Sequence, residues 1–356
     1  MPRPRRPRDP IAGVATTVTA FVGALPAGPP PAPVLVTSMV EFERAFGSGE
    51  GETGEAVRLF FQNGGRRGYV TGLDESDPAR SLEALASTNF SILVIPATAR
   101  MSDSAATSLA VTAALMADER QVFYVVDPPA ARTPANVARW AGSFGGGRSS
   151  AVVFPRMRVR GPTGERDVPA AAAVAGVLAR TDIERAVWVS PSGTLVQGVL
   201  PPTIELDQAT ADALVQAAVN PIRFVSGRGI RLWSALTRAD TDTEWKYVNV
   251  RRFAAFLEQS IRQGLQWVVF EPNRPPLWTQ VRAAARTFLT SVFRQGAFPA
   301  SKAEGAFFVR CDRTTMTQDD LDAGRLVLLV GFAPLRPAEF VVLHISLQAR
   351  PADDDA

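Results

Sequence analysis

Short apolar segments alternate with helical segments over residues 68–155, and this alternation restricts the fold more than any other feature of the sequence. The apolar segments have the Val, Ile and Phe content of buried strands: GYVTGL (68–73), SILVIPA (91–97), VFYVVDPP (122–129) and AVVFP (151–155). Helical segments separate them, at 81–88, 103–118 and 134–142. Because strands that alternate with helices build a parallel sheet covered on both faces, the sequence predicts a doubly wound α/β domain.

A second group of elements follows the loop-rich passage 191–203, where we place a domain boundary. The helices predicted there are 207–218, 250–263 and 277–295, and the strands are 229–236, 266–272, 306–311, 325–334 and 339–348. At the other end of the chain, IAGVATTVTAFVG (11–23) is rich in Val and Thr and is also predicted as a strand. The predicted fold class is therefore α/β (α+β), with two domains.

Capping residues mark several predicted helix starts. A Ser or Thr before the first turn accepts a hydrogen bond from a free backbone N–H, and acidic residues in that turn face the positive end of the helix dipole. We interpret such carboxylates as helix-start residues and not as catalytic acids. The starts identified in this way are Ser38 (with Glu41 three residues later), Thr133 (before Pro134) and Thr317 (before Asp319 and Asp320).

The rarest residues exclude whole classes of chemistry. Cys311 is the only cysteine and His344 the only histidine, so the chain can form neither an intrachain disulfide nor a zinc site of the Cys/His kind. We interpret Cys311 as a core residue and His344 as a strand-face residue. The phosphate-binding motif GxxxxGK[ST] is absent. We therefore assign no catalytic, cofactor-binding or metal residue, although an α/β enzyme of unknown substrate stays as the alternative function.

The charge of the chain is concentrated at its two ends, with opposite signs. The formal net charge is +3; the first ten residues, MPRPRRPRDP, hold four arginines and one aspartate, and the last six, PADDDA, hold three aspartates. The two ends cancel, and no clustered basic face is apparent between them. Since nucleic-acid binding requires such a face, we predict no nucleic-acid partner.

Neither a membrane span nor a secretion signal is apparent in the sequence. The longest apolar runs, such as 170–179, have about ten residues, whereas a membrane-spanning helix needs roughly 20. The N-terminal segment is basic but rich in proline, and it has no apolar stretch of the length that signal peptides require. We therefore predict no direct membrane insertion, and we expect the chain to be made in a bacterial cytoplasm.

Long phrases resemble the tail sheath protein family of contractile phage tails and phage-tail-like contractile injection systems. In the C-terminal half they are NPIRFVSGRGIRLWSALT (220–237), EWKYVNVRRFAAFLEQSI (244–261), QWVVFEPNRPPLW (266–278) and residues 306–345, AFFVRC to VVLHI. Three phrases of the N-terminal part are similar to the beginning of a sheath protein: IAGVATTVTAFVGALPAG, VLVTSMVEFERAFG and VRLFFQNGGRRGYV. The resemblance covers nearly the whole chain and is weakest between about 97 and 170.

Two departures from the family pattern are visible. The chain reads VPAAAAVAG at 168–176, where the family often has a phrase similar to P-P-S-G, and it lacks the large outer insertions of many phage sheaths. In this short form the chain is more similar to the sheaths of extracellular injection particles.

The resemblance implies a structural and mechanical function. Sheath subunits stack as hexameric rings in a helical sleeve around an inner tube, and contraction of the sleeve drives the tube through a target envelope. The implied partners are further copies of the chain, the tube protein, and the baseplate and terminal cap proteins. The implied location is the bacterial cytoplasm during assembly and then a phage tail or injection particle; no cofactor is implied.

The resemblance also implies extended arms that add strands to the sheets of neighbouring subunits. On this basis we predict an N-terminal arm (1–23), an outer α/β domain (24–200), an inner sheath domain (201–338) and a C-terminal strand arm (339–356). The opposite charges of the two ends allow two interpretations: the arginines of 3–8 lie near the aspartates of 353–355 in an adjacent subunit, or both ends are solvated tails. The candidate inter-subunit residues are Val14, Thr16, Val18 and Phe21 in the first arm and Val341, Leu343, Ile345 and Leu347 in the second.

Overall fold

The computed structural model describes residues 10–26, 30, 32–144, 147–161, 164–239, 244–334 and 340–352. The expected proximity of the terminal arginines (3–8) and aspartates (353–355) lies outside these ranges. The chain divides into two compact units. The first unit is Ala15–Arg252, and the second contains the residues up to Val14 and those from Phe253 onward.

The first unit contains the alternating strands and helices. Its strands are β1 (Thr19–Gly23), β2 (Val34–Val36), β3 (Gly68–Gly72), β4 (Ile92–Val94), β5 (Phe123–Val126), β6 (Ser150–Phe154), β7 (Met157–Gly161), β8 (Gly164–Val168), β9 (Val219–Val225) and β10 (Gly229–Leu232). Its helices are α1 (Met39–Phe46), α2 (Glu52–Gln62), α3 (Pro78–Glu83), α4 (Asp103–Glu119), α5 (Pro134–Ser143), α6 (Ala171–Glu184) and α7 (Gln208–Gln216), with 3-10 turns at Ala84–Ser87 and Pro96–Arg100. The chain passes to the second unit within α8 (Val248–Gly264).

Among the described residues, eight strands of the first unit form one sheet, in the order β10-β9-β6-β5-β4-β1-β3-β2. The six inner strands are parallel to their neighbours, and β2 and β10 close the two edges in the antiparallel direction. Strands β7 and β8 form a separate antiparallel hairpin. The predicted α/β fold class is confirmed.

Helices cover both faces of this sheet, because its strands bury side chains on both sides. In β1, Phe21 belongs to a core with α2 and α6, whereas Ala20 and Val22 belong to a second core with α4 and α5. All five residues of β1 are buried. A sheet with two buried faces is the doubly wound arrangement that the alternating sequence predicts.

Helix α6 packs closely on α2 because of one glycine. A Cβ atom at Gly176 would lie 2.5 Å from the carbonyl oxygen of Phe60 and 2.6 Å from Cβ of Asn63. The phrase VPAAAAVAG, where the chain departs from the sheath pattern, forms the end of β8 and the first turns of this buried helix. The small side chains of the phrase therefore serve close helix packing.

Asp127 follows β5 directly and holds the start of α6. Its Oδ1 accepts hydrogen bonds from the backbone N–H groups of Ala170 (2.7 Å) and Ala171 (2.9 Å). Burial raises the pKa of this carboxyl to about 6, although the two amide hydrogen bonds and the Arg156 guanidinium act in the opposite direction. The charged form of Asp127 is therefore disfavoured in the folded protein.

The stability difference between Asp127→Asn and wild type should shift in favour of the variant as the pH rises from about 4 to about 6. The folded-state pKa of Asp127 lies above the unfolded value of 3.8, so wild type loses stability between about pH 4 and pH 6, whereas Asp127→Asn does not titrate there. The difference in unfolding free energy between variant and wild type should change by on the order of 2 kcal/mol over this interval. Urea unfolding at pH 4, 5, 6 and 7 measures it, and a difference that is independent of pH would contradict the prediction.

The second unit contains the end of α8, α9 (Pro275–Arg294), α10 (Ala303–Ala306), β11 (Phe307–Arg310), α11 (Gln318–Asp322), β12 (Arg325–Phe332) and β13 (Val341–Gln348). Its three strands form an antiparallel sheet in the order β11-β12-β13. Phe253 lies at the centre of an aromatic cluster, with its ring centroid 5.3 Å from that of Phe332 and 5.6 Å from that of Phe298. This cluster joins α8 to the sheet.

The structure differs from the sequence-based predictions in one element and in the position of the domain boundary. The segment QWVVFEP, predicted as a strand, forms a 3-10 helix at Gln266–Phe270, because Val268 packs inward while Val269 and Phe270 are exposed. The predicted boundary at 200/201 does not coincide with the division at 252/253. β9 pairs with β6, and both β9 and β10 continue the sheet of the first unit.

The predicted helix caps are present. The hydroxyl of Ser38 accepts from the N–H of Glu41 (3.2 Å), and the Glu41 carboxylate binds the backbone and side chain of Thr37. Thr317 and Asp320 form a reciprocal capping box, whose backbone and hydroxyl hydrogen bonds lower the pKa of Asp320 to about 2. The acidic residues of this segment therefore stabilise a helix start, as predicted.

The two rare residues also occupy the environments expected for them. Cys311 is fully buried, and burial raises the pKa of its thiol to about 12. His344 lies on the exposed face of β13. Within the described ranges, no group of His, Cys, Asp and Glu side chains is arranged to hold a metal ion, and no helix has the length and apolar character needed to cross a membrane.

Candidate assembly surfaces

Val14 and Thr16 lie in the extended segment that leads into β1, and both are half-buried. The N–H of Val14 donates to the hydroxyl of Ser260 (3.0 Å) within the second unit. The carbonyl of Thr16 accepts from Nη2 of Arg252 (2.8 Å) within the first unit. Specific side chains of α8 therefore hold the N-terminal segment at two points.

Val18 and Phe21 belong to the core of the first unit and are not available for exchange with a neighbour. β1 pairs with β3 on one edge and β4 on the other, with Phe21 opposite Val70 and Val94. The Phe21 side chain is fully buried, and its ring lies edge-on to Phe60, with 5.2 Å between centroids. The prediction that these two residues belong to a donated arm is therefore wrong, since both edges of their strand are occupied within the chain.

A buried ion pair fixes the N-terminal segment at Thr16, just before β1. The guanidinium of Arg252 donates two hydrogen bonds to the Asp182 carboxylate, at 2.9 Å and 2.7 Å, in addition to the bond that it donates to Thr16. The side chains of Arg252 and Asp182 are only 5% and 3% exposed. Charges buried to this degree are stable only when they are paired, so the contact links α6, α8 and the N-terminal segment.

The four candidate residues of the C-terminal arm pack into the second unit. Along β13, buried and exposed residues alternate strictly, and Val341, Leu343, Ile345 and Leu347 are the buried set. The whole strand pairs with β12, from Val341 opposite Phe332 to Gln348 opposite Arg325. The side chains of these four residues therefore stabilise the second unit. A contact with another subunit would use the edge of β13 that faces away from β12, or the exposed face of the strand.

Within the described residues, the edge of β13 that faces away from β12 is open at the start of the strand. The N–H of Ala349 donates towards β12, to the carbonyl of Gly324 (2.7 Å), whereas the N–H of Arg350 donates to the opposite side, to Glu271 (3.0 Å). Because successive peptide groups of a strand point to opposite edges, the even-numbered residues of β13 direct theirs away from β12. No peptide group in the described part of the chain pairs with those of Val342 and His344 at this edge.

The far end of the same edge is covered. Nη1 of Arg262 donates to the carbonyl of Ser346 (2.9 Å), and residues 271–273 pair with Arg350. The open part of the edge is therefore short and lies at the start of β13. A short open edge accepts a partner strand only in a restricted register.

An exposed apolar row crosses the three-stranded sheet beside this edge. Phe308, Gly331 and Val342 lie opposite one another on β11, β12 and β13. The Phe308 ring covers Gly331, where a Cβ atom would come within 2.0 Å of it, and its centroid lies 6.0 Å from that of Phe340. This row, Val269 and Phe270 are exposed apolar groups of the second unit, and Phe270 is 75% exposed.

Some of these features left no signal in the sequence. Nothing in the spacing of Asp182 and Arg252 indicates that they pair, because 70 residues separate them. The exposed face of β13, by contrast, has a signal, since Val342, His344, Ser346 and Gln348 alternate with buried residues. The free edge of the strand has none.

Two family models match the chain. The phage tail sheath protein central domain matches residues 69–238, and the phage tail sheath C-terminal domain matches residues 240–348. The chain is also 32% identical over 196 residues to the tail sheath protein of Enterobacteria phage T4. That match covers 53% of this chain and 28% of the phage protein, so the chain spans less than a third of the length of this relative.

Solved sheath structures match almost the whole chain. The helical sheath of the anti-feeding prophage (AFP) in its contracted state superimposes with a TM-score of 0.80 at 30% identity, covering 96% of both chains. The contracted sheath complex of PVC, an extracellular contractile injection system, superimposes with a TM-score of 0.81 at 27% identity, covering 96% of this chain and 95% of that one. The similarity to sheaths of extracellular injection particles is thus confirmed, and the chain belongs to the phage tail sheath protein family.

Proposed function

We propose that this chain is the structural subunit of a contractile sheath. The observation that carries the proposal is the agreement, along nearly the whole chain, with subunits of a helical sheath. In this function, subunits stack as hexameric rings into a helical sleeve around an inner tube, with a baseplate and a terminal cap at the two ends. The sleeve is assembled in the bacterial cytoplasm and then forms part of a phage tail or an extracellular injection particle.

Subunits of such a sleeve are connected by extended segments. We propose that the N-terminal segment with Val14 and Thr16 is one connection and that the open edge of β13 is the other. At that edge an added strand would bond to the peptide groups of Val342 and His344, while Val341, Leu343, Ile345 and Leu347 keep β13 folded on β12. The outer position of residues 24–200 and the inner position of 201–338 in the sleeve remain predictions.

Contraction in this proposal changes the packing between subunits and leaves each subunit intact. A contact that repeats without closing on itself builds a helix, and a second packing with more buried area drives the sleeve towards the contracted form. Burial of a few hundred additional Å² per subunit, at roughly 25 cal/mol/Å², supplies several kcal/mol for each subunit. This energy is stored at assembly and needs no nucleotide.

The enzyme alternative receives no support from the family. The Cys311 thiol is buried with a raised pKa, and His344 lies on an exposed strand face. A structural subunit is therefore the function that the sequence and the fold support best.

Electron microscopy tests the proposal directly. Negatively stained full-length protein should show tubes with stacked rings, and the fraction of protein in tubes should rise steeply with concentration, because a helical polymer forms above a critical concentration. Sedimentation of the same samples measures that fraction. A protein that remains monomeric at every concentration tested, with or without tube protein added, would contradict the proposal.

A further inference from the structure

The three-stranded sheet of the second unit has two outer edges, one along β13 and one along β11. At the start of β13 the peptide groups of Val342 and His344 have no partner in the described part of the chain. The next carbonyl on this edge, that of Ser346, accepts from Nη1 of Arg262 on α8 (2.9 Å). The Glu258 carboxylate accepts from Nη2 of the same guanidinium (3.0 Å) and fixes its direction. A charged side chain therefore occupies the edge of β13 where its open part ends.

The outer edge of β11 is closed from both ends. The carbonyl of Ala306 accepts from the residue that follows β12 (2.9 Å), so the odd-numbered residues of β11 direct their peptide groups away from β12. On that outer side the N–H of Phe307 donates to the first residue of α10, and the carbonyl of Cys311 accepts from Nη1 of Arg282 on α9. Within the described ranges, Val309 is the one residue of this strand whose outward N–H and carbonyl both lack a partner.

The two arginines act in the same way, since each donates from a neighbouring helix to a carbonyl on an outer strand edge. A hydrogen bond from a charged donor is stronger than one from a neutral N–H, so the peptide groups of an added strand do not readily displace it. Charged side chains at sheet edges are a general means of preventing unwanted strand pairing. The arrangement leaves two complete residues open on β13 and one on β11, and pairing with two residues forms about twice as many hydrogen bonds as pairing with one.

We propose that Arg262 and Arg282 are positioning residues that confine strand addition between copies of the chain to the start of β13. Arg282 excludes the edge of β11. Arg262 sets the register on β13, because the carbonyl of Ser346 is not free to accept from an added strand and pairing stops at His344. The inference rests on the proposed function, in which the open edge of β13 connects subunits. Two helix side chains thus make the choice of edge and register, which the strand backbones alone leave open.

Residue-resolved hydrogen exchange of the full-length protein tests the proposal. Sleeves are exchanged in deuterated water, dissolved under quenching conditions and compared with unassembled protein. In wild type, exchange of the Val342 and His344 N–H groups should slow about tenfold or more on assembly, whereas exchange at Ser346 and Val309 should stay close to that of unassembled protein. Slow exchange at Val309 in wild-type sleeves would show that the edge of β11 is used, and would overturn the inference.

Variants of the two arginines should change this pattern. In Arg262→Met the slow exchange should extend to Ser346, and in Arg282→Met it should appear at Val309. Arg262→Lys and Arg282→Lys keep a charged donor and should restore the wild-type pattern at least in part. A purely structural role of the arginines would lower stability without moving the slow exchange from one residue to another.

Arg286→Met is the matched control. It makes the same change at an exposed position of α9, four residues after Arg282, and should leave the exchange pattern as in wild type. Thermal unfolding of each variant shows that the subunit stays folded; Arg262 is 47% exposed, so its loss should change the melting temperature little. The inference fails if sleeves of Arg262→Met and Arg282→Met show the wild-type exchange pattern.

Sedimentation provides a second measurement that does not require sleeves. Open sheet edges pair non-specifically, so a several-fold larger fraction of Arg282→Met than of Arg286→Met should sediment as irregular aggregates. If wild type forms no sleeves while Arg282→Met aggregates in this way, the proposed function fails and the inference stands. If wild type forms sleeves and the exchange patterns of the variants do not change, only the inference fails. If wild type forms no sleeves and the two variants sediment equally, both fail.

Discussion

Replacing Arg252 by methionine is expected to destabilise the first unit by about 3–5 kcal/mol, because it leaves the Asp182 carboxylate buried without its partner. The substitution also removes the donor that binds the carbonyl of Thr16. Urea unfolding of the full-length protein, followed by tryptophan fluorescence, measures the loss. This is the largest effect on stability that we expect from one substitution of a polar residue.

A second variant separates the buried charge from lost packing. Asp182→Leu combined with Arg252→Met replaces the ion pair by apolar groups of similar length, and exchanges of this kind are often neutral or stabilising. The double variant should therefore be much more stable than Arg252→Met alone. Arg160→Met, which removes an arginine that is 76% exposed beside Glu165, should cost less than about 1 kcal/mol. A double variant that is no more stable than Arg252→Met would show that the unpaired Asp182 carboxylate is not what destabilises the single variant.

Replacing His344 by proline is expected to weaken sleeve formation strongly while leaving the subunit folded. The N–H of residue 344 points away from β12, so proline removes a donor only from the open edge of β13. Each hydrogen bond lost at the edge costs about 1 kcal/mol, and the pyrrolidine ring also obstructs an incoming strand. The critical concentration for assembly should rise about tenfold or more, as measured by sedimentation and electron microscopy.

The neighbouring residue provides the matched control. The N–H of Leu343 points towards β12, and its side chain is buried, so Leu343→Pro should unfold the second unit. Thermal unfolding distinguishes the two variants, since His344→Pro should melt close to wild type and Leu343→Pro far below it. Normal sleeves from His344→Pro would show that the open edge of β13 takes no part in assembly.

Over residues 68–155 the order of strands and helices could be predicted from the sequence, whereas α2, α6 and the hairpin of β7 and β8 were not predicted, and the positions of strands within the sheets could not be. Segments such as VFYVV and AVVF contain only residues that suit a buried strand, and they form β5 and β6. β9 was missed because it contains Pro221, which argues against an inner strand, although it pairs with β6 on one side and β10 on the other. Pairing partners depend on the tertiary structure, which the local pattern does not contain.

The candidate assembly residues show the same limit. TAFVG and VVLHISLQ are both apolar segments near a chain end, and the family resemblance implies that both are arms. The first is apolar at nearly every position and becomes the inner strand β1, which is buried on both faces, whereas the second alternates buried with exposed residues and becomes β13, which has one exposed face. The alternation was the informative signal, because only a strand with one exposed face keeps polar residues at every second position.

The position of β1 has a mechanical consequence. A pull on the N-terminal segment, directed along the axis of β1, reaches a strand that is paired in parallel on both sides over Thr19–Gly23 and Thr19–Phe21. Such a load acts on all of these hydrogen bonds together, in shear, and does not open them one after another as it would at the end of a hairpin. The hydrogen bond from Arg252 to the carbonyl of Thr16 bears part of the load before it reaches the strand. A subunit anchored in this way can transmit tension through its sheet without unravelling from its N-terminal end.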